Sequence, residues 1–333
     1  MPSLRIVSFR DSLVESTNAV SVAVSHPDGA IHAWAGDPRR HTILRSAAKP
    51  FQALPLLLDG AADAFDVTDE EVALACASHN SDRSQVALVA HWLERIGLAE
   101  VHLACGPHAP LSRDLSIRGP DTPKPDPAPR SPLASNCSGK HTGMLTLAQH
   151  AGWPVEGYNR EGHEVQRRIV EVLAEYVGLP PGEIGCAVDG CAAVTFAMPL
   201  TAMATGFARL VSRHEEAPAR IVRAMTARPD LVAGHGRLCT DLMQAFPGRI
   251  LAKVGADGVY GAAVIDRGLG IALKVEDGNW RACNVALLAV LEQLGLPVSD
   301  ASQLDRYRIL PVLNTRREQV GVMRAEGEIA FVR

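Results

Sequence analysis

Apolar and polar positions alternate near both ends of the chain and fall at helical spacing between them. Ala19 to Ser25 and Ala30 to Ala35 alternate, are partly β-branched, and are joined by His26-Pro27-Asp28-Gly29, which predicts a β-hairpin. Toward the other end, Ile250 to Val254, Val259 to Ile265 and Gly270 to Val275 predict strands, separated by Gly-Ala-Asp-Gly and Asp-Arg-Gly-Leu-Gly. A last hairpin is predicted between Gln319 and Val332, turning at Ala325-Glu326-Gly327.

The middle reads as helices. The pattern predicts them over Ala47 to Leu58, with Pro50 confined to the first turn, and over Asp69 to Ala77, Ser84 to Ile96 and Ser138 to His150. Further helices are predicted over Gly162 to Val177, Glu215 to Ala227, Leu238 to Phe246 and Ala282 to Leu294. Pro120 to Pro132 carries proline at 120, 123, 125, 127, 129 and 132 and predicts an extended surface connection. No internal repeat is present. Strands at both ends with helices between predict an α+β fold in a single unit over 1–333. Its antiparallel sheet would come from roughly 1–45 and 250–333, with a mainly helical part over roughly 46–249.

Composition narrows the classes. With 47% hydrophobic and 21% charged residues, the 333-residue chain is ordinary globular protein. A net charge of −4 and 5% aromatics argue against a nucleic-acid partner. The longest apolar runs, such as Ala53 to Leu58, are too short to span a bilayer, and Met1 to Arg10 does not read as a signal peptide. Seven scattered cysteines do not read as a disulfide framework and suit a reducing cytoplasm.

The chemistry begins at Ser46-Ala-Ala-Lys49. The chain has five lysines and 28 arginines, so a lysine at any one place is seldom an accident of composition. Ser and Lys at i and i+3 share a helix face, and a desolvated lysine can deprotonate the serine. The plain alternative is a serine cap followed by an exposed lysine. Ser78-His79-Asn80 and Lys253-Val254-Gly255 follow in chain order. Together they look like the S-x-x-K, S-x-N and K-x-G triplet of serine acyl-transfer enzymes. Ser78 could equally be a turn former at a helix end. Lys253 lies in a probable central strand, and Gly255 would let a substrate approach that strand closely.

A further block is Asn136-Cys137-Ser138-Gly139-Lys140-His141, with Asp189-Gly190-Cys191 distant in sequence. It is no P-loop, because Ala134 stands at the leading glycine and His141 at the magnesium-binding hydroxyl. Two thiolates and a nitrogen could bind zinc with an open position, although spacing alone favours two buried cysteines near a turn. A rival reading makes Cys137 a nucleophile with His141 as base and Asp189 orienting it. His235-Gly236-Arg237-Leu238-Cys239-Thr240 either lines a site or is only the turn before a helix.

Arg45-Ser46-Ala47-Ala48-Lys49-Pro50-Phe51-Gln52, Ala77-Ser78-His79-Asn80, the 136–141 block, Asp189-Gly190-Cys191 and Ala252-Lys253-Val254-Gly255 resemble the rhizobial-type (class 3) L-asparaginases, the asparaginase II family. The resemblance spans roughly Val20 to Val275 and implies a serine β-lactamase/penicillin-binding-like fold. It implies hydrolysis of the side-chain amide of L-asparagine to L-aspartate and ammonia, by a cytoplasmic homodimer. By position it implies Ser46 as nucleophile with Lys49 as base, and Ser78 with Lys253 as a second pair. It further implies Cys137, Lys140 and Cys191 as ligands of one zinc per chain. Arg45, Asn80, His141, Asp189 and Gly255 would lie about the substrate. The oxyanion is expected to meet the N–H of Ser46 and one from the Lys253-Val254-Gly255 strand. The competing readings are a β-lactamase or penicillin-recognising acyl-transferase, an amidohydrolase of another substrate, and a non-catalytic binding protein on the same scaffold.

Overall fold

The computed structural model describes residues 2–109, 111 and 128–332. Most of the predicted Pro120 to Pro132 connection lies outside the described residues.

Nine strands form one antiparallel sheet. They are β1 (Leu4–Arg10), β2 (Leu13–Ser25), β3 (Ile31–Ala35), β7 (Ile250–Val254), β8 (Val259–Val264), β9 (Leu269–Val275), β10 (Leu310–Leu313), β11 (Gln319–Gly327) and β12 (Ala330–Phe331). The order is β10-β11-β1-β2-β9-β8-β7, with β3 on β2 and β12 on β3. The sheet is thus built from the two chain ends around the long strand β2. Its alternation is legible over Val20 to Ser25, which pairs with β9 from Val20↔Val275 to Ser25↔Gly270.

Helices lie on both faces of the sheet. On one, α6 (Leu200–Ser212) presses so closely on β8 and β9 that side chains have no room there. A Cβ on Gly270 would stand 1.9 Å from Ala204 O, and one on Gly261 would stand 2.1 Å from the Phe207 ring. Tyr260, next along β8, points to the opposite face, where its hydroxyl meets Cys239 of α8 (Leu238–Ala245) at 2.9 Å. On that face α9 (Trp280–Gln293), capped by the Asn279 side chain, packs on β8 and β9.

The helical part gathers α1 (Lys49–Leu58), α2 (Asp69–Ala75), α3 (Arg83–Arg95), α4 (Ser138–Ala151), α5 (Glu164–Val177) and α7 (Glu216–Ala227). Every residue from Lys49 to Leu56 is buried, and so is every residue from Ser138 to Ala148. Helices apolar or small all round must run through a core rather than over it. Pro50 sits in the first turn of α1, where its missing N–H costs no hydrogen bond. The helix α6, although it covers the centre of the sheet, is absent from the sequence prediction.

A second sheet of three strands, β4 (His41–Ile43), β6 (Val194–Pro199) and β5 (Gly185–Val188), was not predicted either. It matters because it holds two site loops together. β4 leads directly into Arg45 and Ser46, and the β5–β6 turn carries Asp189 and Cys191. The predicted C-terminal hairpin is corrected. Ala325 to Gly327 do not turn but continue β11 along β1, with Gly327 opposite Leu4, and the chain then crosses to pair Ala330 and Phe331 with β3. The partner that decides this is β1, in which Arg5 and Arg10 interrupt an otherwise largely apolar strand with Leu4, Ile6 and Val7 buried.

Candidate active site

The centre of the site is a hydroxyl between two amines. Lys49, on the first turn of α1, extends Nζ to within 3.0 Å of Ser78 Oγ, 2.5 Å of Ala77 O and 3.3 Å of Asn136 O. Three acceptors match the three N–H groups of an ammonium. Lys253, on β7, reaches the same Ser78 Oγ at 2.9 Å and donates to Val254 O at 2.8 Å. Both lysines are fully buried, and Ser78 is 4% exposed. Burial, and next the neighbouring Lys49, pull the Lys253 amine down to about 7. Neutral, it keeps a lone pair for the Ser78 proton.

The predicted pairing of Ser46 with Lys49 along one helix face takes a different form. Arg45 to Ala48 is a 3₁₀ turn before α1, and the side-chain hydrogen bond of Lys49 goes to Ser78. Arg45 holds a left-handed backbone at φ 51°, a conformation of order 1 kcal/mol above the ordinary for a non-glycine residue. That turn leaves Ser46 half-buried at the junction of two cavities. One, of about 300 Å³, also exposes Ser78, Arg237, Tyr260, Trp280 and Asn284. The other, of about 740 Å³, is walled by Arg45, His108, Cys137, Asp189 and Cys191. Ser46, Asn136 and Ala256 border both.

The residues after Ser78 hold the loop rather than the substrate. Ser81 N donates to His79 Nδ1 at 3.1 Å, so His79 Nε2 carries the proton and donates to Ser138 Oγ at 2.9 Å. Burial, then Lys49, hold that imidazole neutral, with its pKa down to about 3. Asn80, expected about the substrate, lines neither cavity. It is fully buried, donates to His235 O at 3.2 Å and accepts from Arg237 Nη1 at 3.1 Å. Gly255 lines the smaller cavity, but a Cβ there would stand 2.8 Å from Leu44 O, so the strand before Ser46 is what requires glycine. The strand donors expected for an oxyanion are also engaged: Gly255 N bonds Val259 O at 2.8 Å and Val254 N bonds Cys239 Sγ at 3.3 Å.

The distant cysteine blocks do converge. Cys137 caps α4, Lys140 lies one turn on, and Lys140 Nζ is 3.2 Å from Cys191 Sγ. All three are more than nine-tenths buried. The Cys137 thiol and, next, the Lys140 amine hold the Cys191 sulfur far below the usual thiol range. Burial opposes charge on Lys140, but Cys191, Cys137 and Asp189 outweigh it and raise its pKa. Among the described residues no group of three or more His, Cys, Asp and Glu side chains is placed to hold a metal, so a metal here would need lysine as a ligand.

Asp189 stands beside this cluster at the β5–β6 turn and binds Arg45 Nε at 2.7 Å, and Arg45 also pairs with Asp257. His141, expected about the substrate, lies fully buried behind the cluster. Its Nδ1 meets Tyr158 Oη at 2.5 Å, and its ring lies against the Cys191 sulfur. The 235–240 stretch proves to be both things expected of it, a helix entry and a cavity wall through Arg237, Leu238 and Cys239. Trp280 and Asn284 were not foreseen, and nothing but their place on α9 marks them.

No helix among the described residues is long and apolar enough to cross a membrane. No individually curated protein sequence matches the chain. Among solved structures, native Mglu is 17% identical at a TM-score of 0.47, over 84% of this chain and 65% of that one. Mglu in its glutamate form is 16% identical at 0.46, over 84% and 62%. A β-lactamase from Mycobacterium bovis is 15% identical at 0.30, over 87% and 95%. The chain thus spans a little under two thirds of the Mglu chains. The family model for L-asparaginase II matches residues 6–325, nearly the whole length, and this α+β chain therefore belongs to the L-asparaginase II family.

Proposed function

We propose that this protein hydrolyses the side-chain amide of L-asparagine to L-aspartate and ammonia through an acyl-enzyme on Ser46. The observation that carries the reading is Ser78 Oγ held at 3.0 and 2.9 Å by two buried lysine amines, in the cavity that also exposes Ser46. A nucleophile must be reachable, and Ser46 is the more open of the two serines. Ser78 serves as the relay. The Ser46 proton passes into the Lys49–Ser78–Lys253 chain, where the neutral Lys253 amine accepts it.

Ser46 Oγ attacks the carboxamide carbon, ammonia leaves with the relayed proton, and water cleaves the ester. The N–H groups of Ser46 and Ala256, both at the junction of the cavities, take the place of the engaged strand donors in meeting the oxyanion. Asp189 and Arg45 in the larger cavity suit the α-amino and α-carboxylate groups of the substrate.

Cys137, Lys140 and Cys191 suit one zinc ion per chain. Two buried sulfurs and an amine form a donor set of the right type, provided the thiols and the amine give up their protons. Bound there, the ion would supply fixed positive charge to the wall of the larger cavity. The reading extends to a homodimer in the cytoplasm.

The test is ammonia release from L-asparagine, L-glutamine and D-asparagine, with peptide mapping of hydroxylamine-sensitive acyl-enzyme. Label on Ser46, and its loss in Ser46→Ala with the fold unchanged, is the expected result. Acyl-enzyme on Ser78 or Cys137, or full activity of Ser46→Ala, overturns the assignment.

A further inference from the structure

Ammonia is about the size of water, and a guest of that size needs on the order of 30 Å³. The smaller cavity, which meets the larger one at Ser46 and borders none of Asp189, Cys137 and Cys191, is about 300 Å³, roughly tenfold more. With the amino-acid end of the substrate among the charged groups of the larger cavity, the amide nitrogen faces this smaller one. Its wall is partly apolar, formed by Leu238, Tyr260 and the Trp280 ring, which is 38% exposed.

One polar side chain opens on it. Asn284, on α9 one turn after Trp280, lines the cavity at 9% exposure, and among the described residues its side-chain amide makes no hydrogen bond. Its polar atoms open on the cavity rather than being sealed in the core, so a guest there can bond the amide.

On the asparaginase reading above, we propose that this cavity is a leaving-group subsite and that the enzyme also hydrolyses N4-substituted L-asparagines whose nitrogen bears a flat, largely apolar group. The group lies against Trp280, and a polar edge on it bonds the Asn284 amide. The balance is that of the primary amide. The C–N bond breaks, the bond from Ser46 Oγ to the carbonyl carbon forms, and the Ser46 proton goes to the leaving nitrogen. A primary amine departs in place of ammonia, and water restores Ser46 and releases aspartate.

The experiment measures aniline release from N4-phenyl-L-asparagine beside ammonia release from L-asparagine. The expected kcat/KM for the anilide is within about tenfold of that for asparagine. Trp280→Ala should lower the ratio of anilide to asparagine kcat/KM by about tenfold, and Trp280→Phe should restore most of it. Asparagine turnover with no aniline release, or a ratio unmoved in Trp280→Ala, overturns the subsite and leaves the asparaginase reading standing. Turnover of neither substrate sinks that reading and the subsite with it.

Discussion

Lys253 Nζ stands 2.9 Å from Ser78 Oγ across 175 residues of chain, and its amine titrates near 7 because burial and then Lys49 disfavour its charge. In the proposed mechanism it is the final proton acceptor and must be neutral. kcat/KM should therefore rise with pH along a limb of apparent pKa about 7, set by Lys253. Lys253→Met should remove both the limb and most of the activity. A profile flat from pH 5.5 to 8.5 in the wild type would show that this amine is not the base.

The same shift makes a claim on stability. In the unfolded chain Lys253 titrates near 10.5, so between about 7 and 10.5 the unfolded state binds the extra proton. Stability attributable to this residue rises with pH through that window, at no more than about 1.4 kcal/mol per unit, and is lowest below 7. His79 acts lower on the scale. Held down to about 3 from 6.5, it costs stability as pH falls between those values. Urea unfolding of Lys253→Met beside wild type at pH 6.5, 8 and 9.5 checks the first sign: the wild type should gain stability relative to the variant as pH rises.

Ser78→Ala separates relay from nucleophile. Without the hydroxyl, the Lys49 and Lys253 amines face each other with nothing to bridge them. Turnover should fall by about 10³ or more, while slow acylation of Ser46 persists. Intact-protein mass after incubation with substrate reads this directly. Complete absence of acyl-enzyme in Ser78→Ala, with Ser46→Ala still acylated, would exchange the two roles.

Much of this site could be read from the chain because its motifs are short and local. Ser46-x-x-Lys49, Ser78-x-Asn80 and Lys253-x-Gly255 each mark a position at an element boundary. That Lys49 also reaches Ser78 could not be read, since spacing along a helix says nothing of a hydroxyl arriving from the end of α2. Asn80 shows the same limit: its partner Arg237 lies 157 positions away. The helix α6 was missed although Met203 and Phe207 lie on Gly261 of β8, because its tightest contact is its own backbone at Ala204 and Ala208 against Gly270 of β9, which no side-chain pattern records. β1 was missed because its burial depends on β2 and β11 covering its edges.

Gly270→Ala tests that close packing. The added methyl would meet Ala204 O and the Ala208 N–H of α6, which are backbone atoms and cannot swing away. The cost should be about 3 kcal/mol or more, lowering Tm by roughly 5 °C or more. Gly182→Ala is the control, since nothing lies within 4 Å of a Cβ there. Equal melting temperatures for the two variants would contradict the contact of α6 with β9.

Metal removal tests the Cys137–Lys140–Cys191 cluster. Cys137 and Cys191 wall the larger cavity beside Asp189, whereas Ser78, held by Lys49 and Lys253, lines the smaller one. A zinc ion there is placed to order the amino-acid end of the substrate, not to move the proton. Protein as purified should contain about one zinc per chain by elemental analysis, and chelation should raise KM more than it lowers kcat. Cys191→Ser should do the same, and added zinc should restore the chelated wild type but not the variant. Because Cys137 and Lys140 begin the buried helix α4, stripping the ion should also lower Tm, a readout independent of turnover. A fall in kcat with KM unchanged would place the ion on the reacting carbonyl instead, and a metal-free preparation with full activity and unchanged Tm would remove it from the site.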